Sequence, residues 1–150
     1  MEHRTMVNVT EKIQPPTAPR EWTLEQIETV LSRPIPPSVL KTKEIKGNKI
    51  TYLPWYAVNR ILTKYTPGWT WEITKIETTQ DRVFLVGRLT IPTSEGNVYR
   101  EASGTELLKD VDKNGKPKEI AYGNPVCNAE AQALRRAAAK FGLGLSLYDK

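Results

Sequence analysis

Apolar residues recur at helical spacing near the start of the chain, alternate with polar ones through its middle, and return to helical spacing at its end. Glu21–Ser32 predicts a short helix with Trp22, Ile27, Val30 and Leu31 as its apolar residues. Thr23 suits its cap, and Gln26 completes the spacing of a capping box. Pro34, Pro36 and Pro37 stop it. Lys41–Lys49 carries four lysines against Glu44 and ends in a Gly47-Asn48 turn signal. A second helix is expected from Pro54, placed at the first helical position, with Trp55, Val58, Ile61, Leu62 and Tyr65 inward and Asn59, Arg60, Thr63 and Lys64 in water. Pro67-Gly68 ends it. Three strands follow. Trp69–Ile73 alternates, Ile76 changes phase and so predicts a bulge or twist, Arg82–Ile91 puts Val83, Leu85, Leu89 and Ile91 on one face, and Asn97–Glu106 is the most polar. The connections Thr78–Asp81 and Pro92–Gly96 are hairpin-sized, which implies an antiparallel meander.

Leu107–Gly123 is a lysine-rich excursion around the turn dipeptide Asn114-Gly115. The last helix has the strongest end signals, with Asn124 as cap, Pro125 first inside and Gly142 at the close. Six alanines lie between Ala129 and Ala139. The expected inward stripe is Cys127, Ala131, Leu134, Ala138 and Phe141; Asn128, Gln132, Arg135, Arg136 and Lys140 form the opposite face. Helices, a three-stranded meander and a closing helix make an α+β fold, an antiparallel sheet packed against a long C-terminal helix. Residues 1–20 are polar and end in Pro15, Pro16 and Pro19, which predicts a disordered arm before a domain over 21–150.

Composition narrows the class. The chain has 150 residues, 39% of them hydrophobic, enough for one core. One Cys excludes a disulfide framework, and one His beside it excludes a Cys/His zinc site. No apolar stretch approaches the roughly 18 residues of a membrane span, and the N-terminus lacks the apolar run of a signal peptide, so the expected place is the cytoplasm, or the nucleoid in a bacterium. The net charge is +5. Residues 1–33 hold four basic and five acidic side chains, and residues 34–150 hold eighteen and twelve, so the positive excess belongs to the folded part. Polyanions are the partners such a balance favours, with solvated lysines as the bland account.

Enzyme motifs fail on inspection. Asp110-x-Asp112-x-Asn114-Gly115 starts like a calcium loop, but the twelfth position is Ala121 where a bidentate Glu is required. Gly142-x-Gly144 closes a helix where a dinucleotide fingerprint would open one, and Gly115-Lys116 lacks the first glycine of a phosphate loop. His3 and Cys127 make no nucleophile–base pair. Glu72 with Glu101 or Glu106 keeps open a metal-dependent nuclease, against the simpler reading of outward strand positions. Trp69 and Trp71 share a strand face that suits core packing better than base stacking, whereas Tyr52, between the lysines and the second helix, offers a base a ring with cations beside it. Arg135-Arg136 with Lys140 is the sharpest feature. Two adjacent arginines among alanines, with Glu130 outside helical pairing distance, suit phosphate as well as they suit a solvated helix end.

The order of these motifs resembles the single-strand annealing superfamily of Rad52 and the bacterial DNA-damage response protein A. Tyr52-Leu53-Pro54-Trp55, Gly68-Trp69, Val83–Gly87, Tyr99–Gly104, Ala129–Gly142 and the closing Leu147-Tyr148-Asp149-Lys150 carry the resemblance, over residues 34–150. It implies a helix on a curved sheet, assembled into a ring whose groove holds single-stranded DNA; the failed motifs above lead to the expectation of no catalysis and no cofactor. Residue by residue, it implies that Arg135 and Arg136 hold DNA. A third family cation falls on Ala139, with Lys140 adjacent, and another on Lys41 or Lys43, shortly before Tyr52. Outer cations map to Arg82 and to Lys116 or Lys118. The expected partners are single-stranded DNA, copies of the same chain and other recombination proteins. A structured-RNA or duplex-DNA module with the same cations remains the rival binding reading.

Overall fold

The computed structural model describes residues 13–111, 114–119 and 124–149. Of the arm expected over 1–20, residues 1–12 therefore lie outside the described residues; 13–20 run as irregular coil, with Thr17 donating from N and Oγ1 to Glu21.

The first helix, α1 (Leu24–Leu31), has the expected capping box: Gln26 N donates to Thr23 Oγ1 at 3.1 Å, and Thr23 N to Gln26 Oε1 at 2.9 Å. Ile27, Val30 and Leu31 are its buried face. The lysine-rich stretch is an antiparallel hairpin of β1 (Lys41–Ile45) and β2 (Asn48–Tyr52). Its turn centres on Lys46-Gly47, both with positive φ (52° and 81°), one residue earlier than the sequence suggested. A two-residue hairpin loop of this kind matches the strand twist only with both central residues left-handed.

The helix α2 (Trp55–Tyr65) begins one residue after Pro54, which sits extended at the cap while its carbonyl accepts from Ala57 N and Val58 N. Ala57, Val58 and Leu62 are buried, but Trp55 is 52% exposed and does not join the apolar stripe predicted for it. Its side chain borders a hollow together with Trp69, Trp71 and Cys127.

The expected meander is present, with strands β3 (Thr70–Thr78), β4 (Arg82–Thr93) and β5 (Gly96–Leu107) antiparallel in that order. Val83, Leu85, Leu89 and Ile91 of β4 all face the core. The predicted irregularity lies between Ile73 and Lys75, and it keeps Ile73 (opposite Gly87) and Ile76 (opposite Leu85) on the same face despite their odd spacing. Trp71 and Trp69 are partly buried and packed against the main core, with their indole N–H groups on Glu130 and Thr63. The excursion forms a short pair, β6 (Lys109–Val111) with β7 (Pro117–Glu119); residues 112–113 and 120–123 lie outside the described residues.

The closing helix α3 (Pro125–Ala139) is capped by Asn124, whose side chain accepts from Val126 N, and lies across β4 and β5. Its inward stripe differs from the predicted one. Ala129, Ala133, Leu134, Ala137 and Ala138 are buried with Phe141, while Cys127 is exposed and Ala131 half-buried. Gly104 explains the rotation. A Cβ there would lie 1.9 Å from Ala129 O, so the helix backbone at Ala129 rests directly on β5. Because α3 covers β4 and β5, the helix-side face of β3 keeps Ile73 (38%) and Ile76 (50%) in water.

Candidate nucleic-acid interface

The site forms where the β1–β2 hairpin faces the outer side of α3. Strand alternation and the register Lys41↔Tyr52 and Lys43↔Ile50 place Lys41, Lys43, Ile50 and Tyr52 on one face of the hairpin. That face looks at Arg135. The ammonium of Lys43 lies 4.9 Å from the centroid of the Tyr52 ring and the guanidinium of Arg135 lies 5.4 Å from it. Both are cation–π contacts, so the tyrosine holds two cations from different elements within reach of one another. They open onto a groove of about 350 Å³ bordered by Lys43, Tyr52, Gln132, Arg135, Arg136 and Tyr148. Among the described residues no carboxylate borders it. Three cations with no acid among them attract a polyanion, and Arg135 and Arg136 supply the planar donors that suit phosphate oxygens.

Arg136 and Lys140 are also bonded to the sheet. Gln132, Arg136 and Lys140 recur every four residues along α3, and they meet alternate residues of β5 on its free edge. Gln132 Oε1 accepts from Thr105 N at 3.1 Å, Arg136 Nη1 donates to Ser103 O at 3.1 Å, and Lys140 Nζ donates to Glu101 O at 2.6 Å. The unpaired groups of an edge strand are thereby closed by side chains of the helix above it. These bonds leave donors over: a guanidinium carries five N–H groups and an ammonium three. Arg136 is therefore oriented by the protein with donors still free to face the groove. Lys140 shares an adjoining hollow of about 300 Å³ with Arg136 and Tyr148. Ala139, where the family's third cation would fall, is 4% exposed and faces the core.

The remaining candidates stand apart. Lys41 is exposed at the start of β1 and borders neither hollow. Arg82 donates to Thr105 Oγ1 at 3.0 Å and pairs in register with Leu107 at the far end of the sheet. Lys116 is exposed in the loop between β6 and β7 and does not border the groove, and Lys118 lies in β7 with its backbone opposite Asp110. Arg100 is engaged elsewhere, with Glu28 at 2.8 Å and the Phe141 ring 4.5 Å from its guanidinium, and so ties α1 to β5.

The carboxylates that keep a nuclease open do not converge. Glu72 on β3 and Glu101 on β5 are both in register with Arg88 on β4, which lies between them. Arg88 Nε is 2.9 Å from Glu101 Oε2, and this hydrogen bond raises the guanidinium pKa above its ordinary value. Among the described residues, no group of three or more His, Cys, Asp or Glu side chains is placed to hold a metal ion.

Tyr148 is the groove residue that its sequence context conceals. It stands out there only as part of a closing motif, although an exposed aromatic on the short return after a basic helix is a usable signal. Gln132 falls on the outer face of α3 as expected, but its bond to the sheet edge depends on the register between helix and strand.

The family model described as "Rad52/22 family double-strand break repair protein" matches residues 23–150. The chain is 37% identical over 137 residues to "DNA repair RAD52-like protein 1, mitochondrial" of Arabidopsis thaliana, covering 90% of this chain and 73% of that one. It is 35% identical over 124 residues to "DNA repair RAD52-like protein 2, chloroplastic" of the same plant, covering 80% of this chain and 58% of that relative. Among the described residues no helix is long and apolar enough to cross a membrane.

Proposed function

The chain belongs to the Rad52/22 family of double-strand break repair proteins, and on that premise we propose that it binds single-stranded DNA and anneals complementary strands or protects DNA ends in homologous recombination. The observation that carries this reading is the groove, bordered by no carboxylate among the described residues, in which Lys43, Arg135 and Arg136 meet around Tyr52. Cations on a hairpin and a helix hold the phosphate backbone, contacts that read no sequence. The base edges are left available for a second strand. Lys140 extends the cationic surface past Arg136, and Lys41, Arg82, Lys116 and Lys118 act as outer contacts that strengthen binding.

We also propose assembly of several copies, in the ring that the family resemblance implies. The two edges of the three-stranded sheet are unequal: β5 is closed by Gln132, Arg136 and Lys140, and β3 presents Ile73 and Ile76 to water. Exposed apolar side chains on the face of an edge strand offer a surface for a neighbouring copy.

The experiment is electrophoretic mobility shift with equal-length single-stranded and duplex oligonucleotides and a structured RNA, at 50 and 200 mM salt, with strand annealing followed in parallel. Preference for the single strand, weakened by salt, supports the proposal. Preference for duplex or RNA would move the chain to the rival binding reading, and magnesium-dependent cleavage abolished by Glu72→Gln or Glu101→Gln would move it to a nuclease.

A further inference from the structure

We infer that Tyr148, not Tyr52, is the side chain on which a nucleobase of the bound strand stacks; the inference rests on the single-stranded DNA reading above. Tyr52 is the obvious aromatic of the groove, but its ring already carries Lys43 and Arg135. A base that stacks there competes with the cations that hold the phosphates. Tyr52 therefore serves as their mount.

Tyr148 has the opposite surroundings. It is 51% exposed, and among the described residues no ring and no cation stacks on it. It borders both the main groove and the adjoining hollow, as Arg136 does, and Lys140 borders the second of them. Its backbone is held. The single turn Leu145–Tyr148 is closed by Leu147 N donating to Gly144 O at 3.0 Å, and Leu147 packs against the main core beside buried Leu143. An exposed ring on an anchored turn, next to an arginine already oriented by Ser103 O, gives a nucleotide both of the partners it needs: a cation for its phosphate and a flat apolar face for its base. Stacking uses the face of the base and leaves its pairing edge free, which is compatible with annealing.

The test uses the full chain and two labelled oligonucleotides of equal length and charge, oligo-dT and an abasic deoxyribose-phosphate oligomer, with fluorescence anisotropy as the readout. Tyr148→Leu is expected to weaken dT binding by roughly five- to a hundred-fold, the loss of one base–aromatic stack. It should leave abasic binding and the salt slope as they are. Tyr148→Phe keeps the ring and should retain the base-dependent part. A thermal melt of Tyr148→Leu matching wild type confirms that the fold is intact. Equal loss on both oligomers, no loss on either, or a base-dependent loss in Tyr52→Leu instead would overturn the assignment. Wild-type protein that binds neither oligomer would remove the DNA-binding reading itself; wild-type binding with no base-dependent loss at Tyr148 would overturn this inference alone.

Discussion

Replacing Arg135 and Arg136 together by alanine separates the DNA-binding role proposed for these residues from their structural one. Arg135 gives up its cation–π interaction with the Tyr52 ring, about 0.5–1 kcal/mol at an exposed site. Arg136 gives up its hydrogen bond to Ser103 O, about 0.5–1.5 kcal/mol, and leaves that edge carbonyl to water. Alanine, the best helix former, returns a few tenths of a kcal/mol at each position. The net cost is about 1–2 kcal/mol, which for a chain of this size lowers the melting temperature by roughly 2–8 °C. The double variant should thus be folded. Binding should change far more characteristically. A single strand deprived of two phosphate-holding cations should show a salt slope smaller by about 1.4 log units per log unit of salt. The penalty of the variant is therefore about sevenfold larger at 50 mM than at 200 mM salt. Circular dichroism melts and anisotropy titrations across that range read both quantities. A folded double variant with the wild-type slope would show that these arginines serve only the sheet edge and the tyrosine.

Three further substitutions probe the frame that holds the groove. Gly104→Ala drives a methyl into Ala129 O and should lose about 1–3 kcal/mol in a denaturant melt, because α3 must lift from β5; an unchanged midpoint would mean the helix does not rest there. Gln132→Ala frees Thr105 N, so that amide should exchange with deuterium faster than its neighbours in the same strand, with wild-type protection as the opposing result. Thr23→Ala removes one half of the capping box and should cost about 1 kcal/mol with no effect on DNA affinity, since α1 lies outside the groove.

The elements with strong local chemistry were legible in the sequence. The capping box at Thr23, the alternation of β4 and the Asn124-Pro125 start of α3 each depend on a few neighbouring residues, and each stands where their pattern puts it. The β1–β2 hairpin was not visible as strands because Lys41–Ile45 is exposed along its whole length and carries no apolar alternation. The inward stripe of α3 was misplaced because alanine is small enough to lie on either face; the close approach of Gly104, far away in sequence, decides it. Adjacent Arg135-Arg136 stood out from sequence alone as candidates for holding phosphate. Their convergence with Lys43 on Tyr52 depends on how a hairpin docks beside a helix, and the double use of Arg136 and Lys140 depends on the register of α3 over β5. Neither is a property of local sequence.

The central claim, that a single strand lies between the hairpin and α3, is tested most directly by lysine acetylation of the full chain read by mass spectrometry, with and without saturating oligo-dT. Lys43, which borders the groove, should become protected when DNA is present, and Lys140 beside Arg136 should follow. Lys64, at the end of α2 against Tyr65 and away from the groove, should keep its reactivity. Protection of Lys64 with Lys43 as reactive as in the free protein would contradict the account.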